Sequence, residues 1–145
     1  MTQPKRLSDR LYVAPQIEPA EVQALADAGF RSIISNRPDG EEQGQPAWAT
    51  IERAARDADM DARHVPVIPG AISDQNVAKF AAALGELPQP IVAFCRTGTR
   101  SASLWALANP DGRPPEELIS TAADAGYDLS PLCGRLTQDL SLIHI

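Results

Sequence analysis

The segment PIVAFCRTGTRSASLWALAN, residues 90–109, contains an apolar run, a polar turn and a helix-forming stretch in direct succession. Residues 90–95 are apolar and include β-branched side chains, a pattern that is typical of a buried strand. Residues 99–109 carry apolar side chains at helical spacing, and Pro110 ends that helix. A buried strand that leads through a short turn into a helix is typical of α/β proteins, so this segment decides the fold class.

Strand-like and helix-like segments alternate along the rest of the chain. Further strands are predicted at 11–14, 30–35 and 63–69, and Pro66 favours an edge or irregular position for part of the last one. The alternation predicts an α/β fold with a mostly parallel four-stranded sheet, flanking helices and a helical C-terminal end. The remaining helices are predicted at 18–29, 47–60, 74–87, 114–126 and 130–140.

Length and composition fit one domain and exclude several classes of partner. The 145 residues, 43% of them hydrophobic, predict a single domain over 1–145, with a core at about 7–140 and a candidate disordered tail at 141–145. The net charge of −6 argues against a nucleic-acid partner, and no apolar run suits a membrane span. With two cysteines and no recognisable secretory signal, we expect a cytoplasmic protein. Neither a metal nor another cofactor is expected, because His and Cys do not cluster at ligand spacing.

The turn after residue 94 contains the residues with the clearest chemical potential. Cys95 ends the predicted strand, and the backbone N–H groups that open the next helix have no partners within it. These N–H groups and the helix dipole stabilise an anion, and the thiolate is the reactive form of cysteine. Gly98 permits a sharp turn, and the Arg100 guanidinium can hold a phosphate, sulfonate or thiosulfate. We therefore predict a nucleophile at Cys95 and an anion-binding residue at Arg100; the alternative is a buried structural cysteine beside a surface arginine.

The other polar residues of the turn are candidates for substrate binding. The Ser101 hydroxyl has two candidate roles, which are to support a leaving thiolate and to cap the helix. For Arg96, two interpretations stay open: attraction of anionic substrates at a pocket mouth, or a solvated side chain. The predicted substrate-binding residues are Arg96, Thr97, Gly98, Thr99 and Ser101.

The loop CRTGTRS, residues 95–101, resembles the active loop of rhodanese sulfurtransferases, in which four residues separate Cys and Arg. Tyrosine phosphatases and dual-specificity phosphatases have five residues there, usually with a His before the Cys, where this chain has Phe94. The wider chain, over about 7–129, resembles the beta-lactamase-hydrolase-like, phosphatase-like family. That resemblance rests on IISNRPDGEEQGQP (33–46), HVPVIPGAIS (64–73), VAFCRTGTRSASLWALA (92–108) and AADAGYDLS (122–130).

The family resemblance implies a protein-tyrosine-phosphatase-like fold and a set of site residues. It implies Cys95 as nucleophile, Arg100 as anion clamp and the amides of residues 96–100 as the lining of the site. It also implies that the NRPDGE loop borders the pocket with Arg37 and Asp39. Some members are fused to a metallo-hydrolase or persulfide dioxygenase domain, so a functional link to a metallo-beta-lactamase-like persulfide dioxygenase is expected. The expected substrate is a small anion, either a sulfane-sulfur donor or a phosphate ester.

Two features favour sulfur transfer over phosphate-ester hydrolysis. A loop with four intervening residues encloses less room than a loop with five, which suits a single sulfur atom better than a phosphoryl group. Hydrolysis of a phosphate ester also needs a proton for the leaving oxygen, and residues 65–73 contain no acid. Asp74 follows them, but it suits the first turn of a helix. For Asp39, two interpretations stay open: a substitute acid, or a member of a Pro-Asp-Gly turn.

We therefore expect a cysteine-dependent sulfurtransferase that forms a persulfide on Cys95 and passes the sulfur to a thiol or cyanide. The donor would be of the thiosulfate or glutathione persulfide type. The alternatives are a protein-tyrosine-phosphatase-like phosphohydrolase with a phosphocysteine intermediate, and a non-catalytic module that senses anions or persulfides. Outside the loop, His64 is expected to make a structural hydrogen bond, and Cys133 is expected to be buried in the last helix. Trp48 and Trp105 are expected in the core or the pocket wall.

Overall fold

A computed structural model describes residues 3–137, in which a five-stranded sheet carries helices on both faces. In the sheet the strands lie in the order β1-β2-β5-β3-β4; β1 pairs antiparallel with β2, and every other pair is parallel. The predicted α/β class and mostly parallel sheet are confirmed, whereas the proposed tail at 141–145 lies outside the described residues. The strands are β1 (Lys5–Arg6), β2 (Leu11–Ala14), β3 (Ser32–Ser35), β4 (Asp61–His64) and β5 (Ile91–Phe94).

The predicted number of four strands is wrong, because β1 adds a fifth. β1 consists of two exposed, charged residues, and its position opposite Tyr12 and Val13 of β2 makes it a strand. The third predicted strand also differs, since β4 begins at Asp61 and ends before Pro66, which has no N–H to donate.

The helices that cover the sheet have bounds that agree with the predicted segments to within a few residues. The first begins as a 3₁₀ turn over Pro19–Glu21, and a second 3₁₀ turn, Ser130–Leu132, opens the last predicted helix. The end of that predicted helix, 138–140, lies outside the described residues. The helices are α1 (Val22–Asp27), α2 (Trp48–Asp57), α3 (Asp74–Glu86), α4 (Thr99–Ala108) and α5 (Pro115–Asp124).

Two apolar cores lie on opposite faces of the sheet, because successive side chains of a strand point to opposite sides. The larger core joins Ile34 and Ala93 to Trp105 and to other buried side chains of α3, α4 and α5. The smaller core joins Ile33 and Val92 to side chains of α1 and α2. β5 therefore lies at the centre of the sheet with both faces covered, and its carboxyl end opens at Cys95. Within residues 3–137, no helix has the length and apolarity needed to span a membrane.

Candidate active site

Cys95 lies directly after β5 and is 1% exposed. The Gly98 N–H donates to its Sγ atom, with an N to Sγ distance of 3.1 Å. Gly98 has a left-handed φ of 99° and is the N-cap residue of α4. A Cβ atom at this position would lie 2.2 Å from the Tyr127 hydroxyl oxygen, so both the backbone and its surroundings require glycine. The loop thus places the sulfur at the N-terminal end of a helix, where anions are stabilised.

The hydroxyl groups of the loop are used in local and scaffold contacts. Thr97 Oγ1 accepts a hydrogen bond from the Thr99 N–H at 3.4 Å and donates to Thr99 Oγ1 at 3.1 Å. The buried Ser101 Oγ donates to Asn36 Oδ1 at 2.8 Å, and Asn36 Nδ2 donates to Val65 O at 3.0 Å. Ser101 therefore connects α4 to the ends of β3 and β4. The two roles considered for its hydroxyl are not seen in this structure, because the hydroxyl does not bond to Cys95 and α4 has no side-chain cap.

The Arg100 guanidinium is bound by a carboxylate of the same chain. Its Nη1 and Nη2 atoms donate to Oε2 and Oε1 of Glu41 at 2.8 and 2.9 Å. Nη1 also donates to the Val67 carbonyl oxygen at 2.9 Å. This two-pronged contact is the geometry in which a guanidinium binds a planar or tetrahedral oxyanion. The Arg100 fork is therefore occupied by the Glu41 carboxylate.

Glu41 also pairs with Arg37, which is 2% exposed. Arg37 Nε donates to Glu41 Oε1 at 2.8 Å, and Nη1 donates to Gln16 Oε1, also at 2.8 Å. Burial by itself would raise the pKa of the Glu41 carboxyl, but hydrogen bonds and positive charge from Arg100 and Arg37 outweigh burial and lower the pKa below the ordinary 4.5. Glu41 is consequently ionised at neutral pH.

A cavity of about 220 Å³ lies beside these ion pairs. The Arg96 guanidinium stands at its edge, 65% exposed, with Nη2 3.3 Å from Glu42 Oε2. The cavity is large enough for a small oxyanion, and Cys95 is not among its walls. Its lining residues are Arg37, Glu41, Glu42, Pro69, Arg96 and Arg100.

Asp39, a sequence candidate for the pocket acid, serves the start of a helix instead. Its exposed carboxylate Oδ1 accepts a hydrogen bond from the Trp48 N–H at 2.8 Å, at the first residue of α2. The contact leaves the Asp39 carboxylate outside the cavity. Asp74 lies in the first turn of α3, as expected, and pairs with Arg135 at 2.9 Å.

Among the other candidates, His64 agrees with the sequence analysis and Cys133 does not. His64 Nε2 lies 2.8 Å from the Arg37 carbonyl oxygen, and its ring stacks on Trp48. Trp105 is buried in the larger core. Cys133 is exposed, so its predicted burial is wrong; it follows a short 3₁₀ turn at the surface. Among the described residues, no cluster of three or more His, Cys, Asp or Glu side chains could hold a metal ion.

Four residues near the site were not singled out in the sequence: Gln16, Glu41, Glu42 and Tyr127. Glu41 and Glu42 belong to a loop whose sequence, NRPDGEEQGQP, has no periodicity, so nothing in it distinguishes the acid that meets Arg100. The sequence did offer one signal, which is opposite charge: that loop has an excess of acidic residues, and CRTGTRS has only basic charges. Tyr127 reaches the site from beyond α5, and only the tertiary fold shows this approach.

Comparison with known proteins identifies several relatives. Residues 4–112 match the family model described as beta-lactamase hydrolase-like protein, phosphatase-like domain. The beta-lactamase hydrolase-like protein of Agrobacterium fabrum is 38% identical over 126 residues, or 86% of this chain, and that of Xylella fastidiosa is 34% identical over 125 residues, or 85%. The aligned region is 29% of each relative, so this chain spans less than a third of their length.

Solved structures support the fold as well. A putative phosphatase from Neisseria meningitidis has 36% sequence identity and a TM-score of 0.82, covering 91% of this chain and 94% of that chain. A putative phosphatase from Shewanella putrefaciens has a TM-score of 0.71 at 17% identity, covering 96% and 91%. The active form of Tk-PTP also has a TM-score of 0.71, at 15% identity, covering 94% and 95%. The predicted protein-tyrosine-phosphatase-like fold is confirmed.

Proposed function

This chain belongs to the phosphatase-like domain family of beta-lactamase hydrolase-like proteins, and from that membership we propose a cysteine-dependent enzyme that transfers a group from a small tetrahedral anion to Cys95. Phosphate esters and thiosulfate share this shape and charge. The supporting contacts are the Gly98 N–H on Cys95 Sγ and the two-pronged Arg100 guanidinium in the same loop. The substrate anion would take the place of the Glu41 carboxylate on Arg100.

Within this class, we propose sulfur transfer as the reaction. The observation that carries it is that each acid near the cavity is already engaged: Glu41 is held ionised by two arginines, Glu42 pairs with Arg37 and Arg96, and Asp39 bonds to the start of α2. Cleavage of a phosphate monoester is assisted by a proton donor at the leaving oxygen. Sulfite leaves thiosulfate as an anion and needs no such donor, so the site suits sulfur transfer better.

The proposed reaction has two balanced steps. The Cys95 thiolate attacks the outer sulfur of thiosulfate, a new S–S bond forms, and the S–S bond of the donor breaks with its electron pair on sulfite. A thiolate or cyanide ion then attacks the outer sulfur of the persulfide, and Cys95 leaves as a thiolate. Arg100 and the loop amides would stabilise the negative charge in both steps. A glutathione persulfide donor would react in the same way, with a glutathione thiolate as the leaving group.

Hydrolysis of a phosphate ester through a phosphocysteine is the second candidate, and the comparisons favour it over sulfur transfer. The family description reads phosphatase-like, and the Neisseria meningitidis relative is named a putative phosphatase. One fold supports many reactions, so the residues at the site carry more weight than the fold. The expected link to a metallo-beta-lactamase-like persulfide dioxygenase stays part of the sulfur-transfer proposal, as this chain covers only part of its curated relatives.

Steady-state assays on the reduced protein test the two reactions in parallel. We expect thiocyanate from thiosulfate and cyanide, little phosphate from an aryl phosphate, and no thiocyanate from Cys95→Ser. Cys133→Ser is the matched control, because this exposed thiol lies outside the proposed site and its loss should leave the rate unchanged. Phosphate release that depends on Cys95, without thiocyanate, would replace sulfur transfer by the second candidate. Anion binding without either product would identify a sensing module.

A further inference from the structure

The segment after α5 brings a tyrosine to the loop that holds Cys95. The Tyr127 N–H donates to the Ala122 carbonyl oxygen at 2.8 Å, and the half-buried side chain packs against the larger core. Its hydroxyl oxygen lies 2.2 Å from the position that a Cβ atom on Gly98 would occupy. The match to the family model ends at residue 112, so a part of the chain outside that match makes this contact.

The Tyr127 hydroxyl lies beside Gly98 and is not bonded to the sulfur of Cys95. Gly98, which the hydroxyl approaches, is also the residue whose N–H donates to Cys95 Sγ. Among residues 3–137 no hydrogen bond from the Tyr127 hydroxyl is formed, to Sγ or to another protein atom, so the donor is available. Burial, together with the nearby Cys95, raises the pKa of Tyr127 above its ordinary 10, which keeps the phenol protonated at neutral pH.

We propose that the Tyr127 hydroxyl donates a hydrogen bond to the anion bound against Cys95, either to an oxygen of the bound substrate or to the outer sulfur of the persulfide. The inference rests on the proposed binding of a small anion at the Cys95 loop, and it holds for sulfur and phosphate chemistry alike. Tyr127 would supply a neutral donor in addition to the charged Arg100 fork. Its O–H would donate to the atoms that Cys95 attacks or carries, and not to Cys95 Sγ itself.

Protection of Cys95 from alkylation tests this role without requiring turnover. All variants would be made in a Cys133→Ser background, which leaves Cys95 as the single thiol. The rate of iodoacetamide alkylation is measured against increasing inorganic phosphate, an anion that cannot transfer sulfur to Cys95. Tyr127→Phe keeps the ring and removes the hydroxyl. The matched control is Tyr12→Phe. Tyr12 is the other tyrosine of the chain; it lies in β2, and its ring packs edge-to-face on Phe30.

We expect Tyr127→Phe to need about tenfold more anion for half-protection, because a hydrogen bond to a charged group is lost. Its alkylation rate without anion should equal that of the parent, since the hydroxyl does not bond to Sγ. Tyr12→Phe should match the parent in both measurements. Unchanged protection in Tyr127→Phe would overturn the inference, as would a parent protein that millimolar inorganic phosphate fails to protect.

A purely structural role for Tyr127 has a different signature. If the ring only supports Gly98, Tyr127→Phe will protect as well as the parent; if the hydroxyl only shapes the loop, the alkylation rate without anion will change, and either result would overturn the inference. Failure of the proposed function is read separately, as absence of thiocyanate and phosphate in the turnover assays. In that case normal anion protection, weakened by Tyr127→Phe, would still support the hydrogen bond.

Discussion

Arg100 holds both carboxylate oxygens of Glu41, at 2.8 and 2.9 Å, so the guanidinium of the Cys95 loop is already occupied by an anion of its own chain. Arg37 fixes the same carboxylate from the other side at 2.8 Å. A substrate oxyanion that uses the Arg100 fork must therefore displace Glu41 or share the fork with it. Cys95 is buried and does not line the cavity in this arrangement.

The first prediction concerns this competition. Glu41→Gln removes the negative charge from the Arg100 fork, so the affinity for inorganic phosphate should rise by about five- to tenfold. The half-exposed Glu42 contacts arginines at 3.3 Å, and Glu42→Gln serves as the control with a smaller effect. The anion affinity of each variant is measured as the protection of Cys95 from alkylation. Weaker anion binding in Glu41→Gln would mean that Glu41 orients Arg100 for substrate and does not compete with it.

The second prediction follows from the lowered pKa of Glu41. Since its pKa is lower in the folded chain than the ordinary 4.5, the folded state binds fewer protons than the unfolded state near that pH. Its contribution to the free energy of unfolding is present above pH 4.5 and is lost as the pH falls through the folded-state pKa. At neutral pH, Glu41→Gln should lower the free energy of unfolding by about 1–2 kcal/mol.

Urea denaturation at several pH values checks this second prediction. The difference between wild type and Glu41→Gln should shrink steadily as the pH drops below 4.5, because protonation of Glu41 removes the charge that the variant lacks. A difference that stayed constant down to strongly acidic pH would show that the charge of Glu41 does not stabilise the fold.

The third prediction concerns the turn that precedes α4. Gly98→Ala would place a Cβ atom on a residue with a φ of 99°, at 2.2 Å from the Tyr127 hydroxyl. This substitution should lower the free energy of unfolding by about 1–3 kcal/mol. It should also slow alkylation of Cys95. Gly85→Ala is the matched control: it lies within α3 with open space around it, and it should stabilise the protein by about 0.5–1 kcal/mol. Equal effects of the two variants on urea denaturation would refute the account of Gly98.

The fourth prediction separates scaffold from chemistry at Ser101. Ser101→Ala leaves the buried Asn36 Oδ1 without its 2.8 Å donor, which should reduce the free energy of unfolding by about 1–3 kcal/mol. The alkylation rate of Cys95 should change little, because the Ser101 hydroxyl does not bond to the sulfur. Thr97→Ala, which loses an exposed hydroxyl, should cost less than about 0.5 kcal/mol. A large drop in Cys95 reactivity with intact stability would instead place Ser101 in the reaction.

The fold was predictable where burial dictates the pattern of residues. The run at 90–95 is apolar because both faces of β5 are covered, and Ser73 precedes α3 as an N-cap residue whose side chain accepts a hydrogen bond from the Asn76 N–H. β1 could not be predicted, because Lys5 and Arg6 are exposed and owe their strand conformation to the neighbouring β2. β4 is an edge strand with polar residues. The strand was therefore predicted too far towards the C-terminus, where the apolar residues Val65 and Val67 lie.

From residue spacing alone, the candidate site was predictable only within one continuous loop. Cys95, Gly98 and Arg100 are close in sequence, and the spacing in CRTGTRS is enough to place them together. The partners of Arg100 were not predictable, because Glu41 lies 59 residues away in a loop without periodicity. For the same reason, the contact of Asp39 was not predictable: the sequence of its turn does not show that its carboxylate accepts a hydrogen bond from the Trp48 N–H.

Sulfur transfer to Cys95 can be tested by mass spectrometry of the Cys95 peptide after brief exposure of the reduced protein to thiosulfate and, in parallel, to an aryl phosphate. We expect that the peptide gains one sulfur atom from thiosulfate, that cyanide removes it, and that Arg100→Lys reduces this gain because a lysine cannot form the two-pronged contact. A Cys95 peptide that stays unmodified by thiosulfate and instead carries a phosphoryl group after aryl phosphate would contradict this expectation.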